Sequence, residues 1–143
     1  MNFIKTTKRS IYSLLILGIL TMAFAACSDE EEATASVSIN SVGSDFGGDV
    51  VGNGGSTTQS FTWNNPLATA DYNMDITAVA GGNFQLTITD SDGATVLNQS
   101  LTKGQGDDSR SGVTEIGSSG NWTITITLTN FAGDGSFSLS PGN

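Results

Sequence analysis

The sequence predicts an all-β protein: an antiparallel β-sandwich or barrel with about eight strands, behind an N-terminal signal helix. Three observations lead to this prediction. From residue 33 onward, apolar and polar residues alternate with a period of two, as in strands that have one buried face and one face exposed to solvent. Turn sequences rich in glycine and aspartate separate these segments at intervals of roughly 8–12 residues. No segment after residue 26 shows the 3.6-residue period of an amphipathic helix.

The first 26 residues have the composition of a secretory signal peptide. Lys5, Lys8 and Arg9 form a basic start, and residues 11–26 are apolar and uncharged. A helix of that length spans roughly 24 Å, which is short of the ~30 Å hydrocarbon core of a bilayer. We therefore predict a signal peptide over residues 1–26, and the alternative is a membrane anchor that the mature protein retains.

Cys27 is the only cysteine of the chain. Together with the preceding Phe24-Ala25-Ala26 it resembles a bacterial lipobox, although Phe24 stands where a leucine-like residue is usual. The resemblance implies that Cys27 becomes the lipidated first residue of the mature protein. Acylation would use up a thiol that is otherwise open to oxidation, and each buried methylene contributes about 0.8 kcal/mol to anchoring. The alternative is a free cysteine just after the cleavage site.

A run of four acids follows Cys27 and Ser28, and residues 27–34 predict a solvated leash, which is the usual role of such a run. The run also resembles the export tag of surface lipoproteins from Bacteroides-type bacteria. That resemblance implies an outer-membrane lipoprotein that faces the cell surface. The residues of the tag are Ser28, Asp29, Glu30, Glu31 and Glu32.

The sandwich is predicted over residues 35–143. The glycine-rich segment 43–56 predicts a loop, and DSDG at 90–93 predicts a tight hairpin turn. Strands are predicted at 35–40, 58–63, 70–78, 84–89, 94–101, 112–116, 121–131 and 136–140. The apolar positions on their inward side predict a core of Phe61, Trp63, Tyr72, Met74, Ile76, Phe84, Leu86, Ile88, Trp122, Ile124, Ile126, Leu128, Phe137 and Leu139.

Residues 57–140 resemble bacterial pre-peptidase C-terminal domains, which are small jelly-roll-like sandwiches. The resemblance rests on Asp92-Gly93 in a hairpin turn, on Gly120-Asn121-Trp122 before an aromatic strand, and on Gly133-Asp134-Gly135 before the last strand. The strand before the Asp-Gly turn reads GGNFQLTIT and lacks the acidic run that some members of the family carry there. The resemblance implies an accessory role without catalysis.

The composition excludes several kinds of function. The chain has no histidine, so the commonest general base and the commonest metal ligand are missing. The net charge is −9, and the part after Cys27 holds all 14 acids with only Lys103 and Arg110 as bases. Such a chain repels phosphate backbones, and we expect no nucleic-acid partner.

Four aspartates are the candidate metal ligands. Asp90 and Asp92 in the predicted turn, with Asp107 and Asp108 in the next long loop, offer the oxygen ligands that calcium prefers. This site requires both loops to lie at the same end of the sandwich. The alternative is that these aspartates only stabilise turns.

The aromatic residues divide by their position in the predicted strands. Trp63 and Trp122 fall on the inward side, whereas Phe46 in the glycine-rich segment and Phe131 beside the last turn are the candidates for exposed ligand contacts. The threonines at 123, 125, 127 and 129 lie on the outward side of one strand, with Thr87 and Thr89 nearby. Such an array suits recognition of ice or a crystalline surface, but an ordinary solvent face explains it without a ligand.

These features together predict a non-catalytic cell-surface lipoprotein with a single β-sandwich that has a binding or accessory role. We expect no catalytic residues and no cofactor apart from the covalent lipid on Cys27. The partners are the membrane, through the lipid, and an envelope protein or a glycan. The alternative is a glycan- or calcium-binding adhesion module.

Overall fold

The computed structural model describes residues 31–78, 81–102 and 108–142. The predicted signal peptide and Cys27 lie outside these residues. Within the described ranges no helix has the length and apolar composition of a membrane span. The strands are β1 (Ala35–Val42), β2 (Phe46–Asn65), β3 (Ala70–Ala78), β4 (Asn83–Thr89), β5 (Thr95–Thr102), β6 (Ser109–Val113) and β7 (Gly120–Pro141).

Two long strands, β2 and β7, organise the fold because they pair with each other along their whole length. The first half of β2 and the second half of β7 form a first sheet with β1, β3 and β6. The second half of β2 and the first half of β7 form a second sheet with β4 and β5. All of these pairings are antiparallel.

Both long strands are irregular where they pass from one sheet to the other. The register of β2 shifts on either side of Gly55, and Gly54 has a φ of 114°. On β7, Asn130 and Gly133 have φ angles of 45° and 152°. Bulges of this kind bend strands and let them change sheets, so the two sheets face each other.

The inward side chains of the two sheets meet in one core. Phe46 of the first sheet lies 5.8 Å from Phe61 of the second, measured between ring centroids, and Phe84 lies 6.3 Å from Phe137. The predicted β-sandwich is confirmed. All residues of the predicted core are buried except Phe61 and Tyr72, which are partly buried and pack against the core.

The prediction of a glycine-rich loop over residues 43–56 is wrong, because β2 begins at Phe46. Its first half pairs with β1 on one side and with β7 on the other. A Cβ atom at Gly48 would overlap the backbone oxygen of Ser38, so glycine permits this close approach of β1 and β2. The glycines therefore reflect close strand packing, whereas the sequence pattern suggested a loop.

Two further strand predictions are corrected. The predicted strands at 121–131 and 136–140 are one bent strand, β7, so the structure has seven strands in its described part. The predicted strand at 112–116 lies earlier, at Ser109–Val113, where it pairs with β3. Residues 114–117 form a connection whose N–H groups donate to carbonyls of Ala70, Val96 and Ala68.

Candidate functional site

The sandwich has two distinct ends. At one end, which we call the leash end, the carbonyl of Thr34 accepts hydrogen bonds from the N–H groups of Asn53 (3.0 Å) and Gly55 (3.1 Å), beside the bend of β2. At the other, the loop end, the Trp63 indole donates to the carbonyl of Ser44 at 3.2 Å. Residues 43–45, 66–69, 90–94 and 114–119 gather at the loop end. The chain therefore enters the sandwich, at Thr34, at the end opposite to these four segments.

The loop end is held together by the carboxylate of Asp90, which is buried. One of its oxygens accepts from the N–H of Ser118 at 2.7 Å, and the other accepts from Ala94 at 2.8 Å and Asp92 at 3.1 Å. The N–H of Ser118, ahead of those of Ala94, Asp92 and Gly93, lowers the pKa of Asp90, against the opposing effect of burial. Asp90 thus ties the β4–β5 turn to the connection before β7.

The predicted calcium site is not formed by the described residues. Asp90 and Asp92 lie at the loop end, and Asp92 accepts from the Ser118 hydroxyl at 2.6 Å. Asp108 lies near the other end of β3, where its carbonyl accepts from the N–H of Ile76 at 2.8 Å; Asp107 is outside the described residues. Because antiparallel strands rise about 3.4 Å per residue, β3 separates the two loops. Within the described ranges no three acidic side chains stand close enough to hold a metal ion.

We expect Asp90→Asn to lower the thermal midpoint at pH 7 by several degrees, because an amide NH2 would face the N–H of Ser118. The pKa of Asp90 is lowered by folding, so its contribution to stability is present above the unfolded pKa of about 3.9 and is lost as the pH falls through the folded value. The difference between wild type and variant should therefore be constant above about pH 5 and shrink toward pH 3.

Thermal melts of both proteins across this pH range measure the effect. The control, Asp108→Asn, removes the same charge from an exposed side chain and should leave the midpoint at pH 7 nearly unchanged. A difference between wild type and Asp90→Asn that does not shrink in acid would show that the carboxylate charge is not what stabilises the loop end.

The two phenylalanines predicted as ligand contacts are not available to a ligand. Phe46 and Phe131 are both fully buried in the core, so the prediction that they are exposed is wrong. Phe46 begins β2 and packs on Phe61 and Phe137, and Phe131 lies at the bend of β7. The prediction that Trp63 and Trp122 belong to the core is confirmed.

The outer face of the first sheet carries an open depression of about 370 Å³. Asp49 of β2 and Asp75 of β3 lie on either side of Ser136 of β7, directly opposite it in the two ladders. Asp134 is the next outward residue on β7, and Thr77 of β3 lies opposite it. The lining therefore offers three carboxylates and two hydroxyls, and each of these groups has oxygen atoms that can accept hydrogen bonds.

The outer face of the second sheet has a different chemistry, and we call it the hydroxyl face. Thr125 stands at its centre, opposite Ser60 on one side and Thr87 on the other. Every outward strand residue described on this face is threonine, serine, asparagine or glutamine. They are Thr58, Ser60, Thr62, Asn64, Asn83, Gln85, Thr87, Thr89, Thr95, Asn98, Ser100, Thr102, Asn121, Thr123, Thr125, Thr127 and Thr129.

Comparison with known proteins finds solved structures of low sequence identity. No family model matches the chain, and no curated protein matches it in sequence. The chain is similar to TmCBM61, a carbohydrate-binding module solved in complex with beta-1,4-galactotriose, with 14% identity over 77% of this chain and 70% of that one, and a TM-score of 0.40.

Two larger structures also match. The chain is similar to an arabinose-bound MgGH51 α-L-arabinofuranosidase, with 12% identity over 76% of this chain and 22% of that one, and a TM-score of 0.42. It is also similar to infectious bursal disease virus Gx strain, with 14% identity over 77% and 30% and a TM-score of 0.26. The chain thus spans less than a third of each of these two.

The sequence predicted one of the two outer faces and missed the other. Thr87 and Thr89 lie opposite Thr125 and Thr123, so the predicted grouping of threonines is confirmed. The acidic depression was missed because Asp49 and Asp134 fell in segments that were predicted to be loop or turn. Only Asp75 lay on the outward side of a predicted strand, and a single aspartate there carries no signal.

Proposed function

We propose that this chain is a lipid-anchored outer-membrane lipoprotein that faces the cell surface and displays a non-catalytic binding domain. The observation that carries the proposal is the entry of the chain at Thr34, at the end of the sandwich opposite to the loop end. A tether at that end leaves the loop end and both outer faces accessible. This arrangement suits a domain that meets its partner away from its point of attachment.

The buried polar side chains support a role without catalysis, because each serves the fold. Asn65 donates to the carbonyl of Thr69 at 3.0 Å, and the Thr114 hydroxyl accepts from the N–H of Ala70 at 3.0 Å. Asp90 binds the backbone of its own turn and of Ser118. Their hydrogen-bonding capacity is used within the protein, whereas the polar groups free to meet a partner lie on the outer faces.

A second candidate is a glycan-binding adhesion module. It is favoured by the two outer faces, which present hydroxyls, amides and carboxylates of the kind that bind sugar hydroxyls. The calcium-binding form of this candidate has no support from Asp90, Asp92 and Asp108, because Asp108 lies near the other end of β3 from Asp90 and Asp92.

The anchoring part is tested by replacing Cys27 with serine. We expect the Cys27→Ser variant to lose acyl labelling and to leave the membrane fraction, because serine keeps the shape of the site but cannot form the thioether. The matched control is Ser28→Ala, which alters the next residue and should stay lipidated and membrane-bound. A Cys27→Ser variant that remains in the membrane fraction would identify the apolar segment as a retained anchor.

The surface location is tested separately by neutralising residues 29–32 to asparagine and glutamine. We expect the neutralised variant to keep its lipid but to become resistant to protease added to intact cells. Wild type should be cleaved under the same conditions. If the variant is cleaved as readily as wild type, the acids act only as a leash and do not direct export.

A further inference from the structure

We propose that the hydroxyl face is a docking surface for an ordered, neutral polysaccharide. The proposal rests on the non-catalytic binding role proposed above and gives that role a partner class. The bound polysaccharide would lie flat across the strands of the second sheet, centred on Thr125, with its own hydroxyls facing those of the protein.

Charge distinguishes the hydroxyl face from the rest of the domain. The part of the chain after Cys27 holds 14 acids against two bases, and the outer face of the first sheet carries Asp49, Asp75 and Asp134. None of the outward strand residues described on the hydroxyl face is charged. A cationic partner would be drawn to the acidic face and an anionic partner repelled by the domain, so the hydroxyl face matches a neutral partner.

The side chains of the hydroxyl face are already held in place by hydrogen bonds to one another. The Ser60 and Thr125 hydroxyls lie 2.9 Å apart, and the Gln85 amide donates to Asn98 at 2.8 Å. Further bonds between neighbouring strands join Thr58 to Thr127, Asn64 to Asn121 and Thr102 to Asn83. Side chains that are already immobilised lose less conformational entropy on association, so the face is preorganised for a partner.

The polar groups of the hydroxyl face form a regular hydrogen-bonding pattern. Polar groups on this face repeat at ~4.8 Å between strands and at ~6.8 Å along them, which gives a regular two-dimensional array. Amides at Asn64, Gln85 and Asn98 interrupt the hydroxyls, so the face is not a single repeating lattice of the kind that ice would match. Hydroxyls and amides each offer both donors and acceptors, as sugar hydroxyls do.

Co-sedimentation of the full chain, in mild detergent, with insoluble polysaccharides tests the proposal. The probes are microcrystalline cellulose, chitin and insoluble mannan, with a calcium-free polygalacturonate gel as the anionic comparison. We expect binding to at least one neutral probe and none to polygalacturonate. Thr125→Arg, which places a long charged side chain at the centre of the face, should weaken binding at least tenfold.

Two variants make the result specific. Ser138→Arg puts the same side chain on the outer face of the first sheet and should bind as wild type does. Thr125→Val keeps the shape and removes only the hydroxyl, and we expect it to weaken binding about threefold while it melts as wild type does. It therefore tests the face even if Thr125→Arg fails to fold.

The outcomes separate this inference from the proposed function. Failure to bind any neutral probe overturns the docking surface but leaves the Cys27→Ser experiment untouched. Binding that is lost in Ser138→Arg and kept in both Thr125 variants also overturns it, because the glycan would then occupy the acidic face. Binding that falls at least tenfold in Thr125→Arg and about threefold in Thr125→Val, and is unchanged in Ser138→Arg, supports the hydroxyl face.

Discussion

Replacement of Trp122 by alanine is expected to lower the free energy of unfolding by about 3–5 kcal/mol. Trp122 is 0% exposed and packs edge-on against Trp63, with ring centroids 6.1 Å apart and an interplanar angle of 87°. Its indole N–H donates to the carbonyl of Ser118 at 2.7 Å. The variant therefore loses core contacts, an aromatic pair and a hydrogen bond that holds the loop end.

Denaturant unfolding followed by circular dichroism measures this loss. Because domains are usually stable by only about 5–15 kcal/mol, Trp122→Ala should be close to unfolding in water, and its midpoint should fall steeply. The control is Thr123→Val, which changes the next residue on the outward side and should shift the free energy of unfolding by less than about 1 kcal/mol. A loss below 1 kcal/mol for Trp122→Ala would contradict its place between the sheets.

The strands and core were predictable wherever side chains alternate along one strand. Leu86 and Ile88 on β4, and Ile124 and Ile126 on β7, carry a clear period of two, and all are buried as predicted. The first half of β2 was not predictable in this way. Glycines there remove the side chains that would have shown the alternation, although Phe46 and Val50 in the same segment are buried.

The candidate surfaces depend on register between strands, which alternation within one strand does not fix. The outward position of Thr125 was predictable, but its neighbours Ser60 and Thr87 follow only from the pairing of β7 with β2 and β4. Phe131 was misplaced for a related reason. A residue next to a turn is expected to be exposed, yet β7 bends at this point and continues into the other sheet.

Replacement of Gly133 by alanine is the second large change in stability that we expect. It should lower the free energy of unfolding by about 2–4 kcal/mol. Gly133 has a φ of 152°, which L-residues with a Cβ rarely adopt. It pairs with Ala78 of β3, and an added Cβ would overlap the backbone oxygen of Thr77. A backbone oxygen cannot adopt another rotamer as a side chain can, so the added Cβ must push β3 away from β7.

Alanine variants of two other glycines distinguish backbone strain from the overlap of the new Cβ with β3. Gly93 has a φ of 85° but open space around an added Cβ, so Gly93→Ala should cost only about 1 kcal/mol from backbone strain. At Gly43 an added Cβ also meets nothing, and no such φ constrains it, so Gly43→Ala should be neutral or stabilise by up to about 1 kcal/mol. Denaturant unfolding should show that Gly133→Ala is far less stable than Gly93→Ala, and that Gly93→Ala is less stable than Gly43→Ala. Equal losses at Gly133 and Gly93 would contradict the close contact between β3 and β7, because backbone strain alone would then explain both.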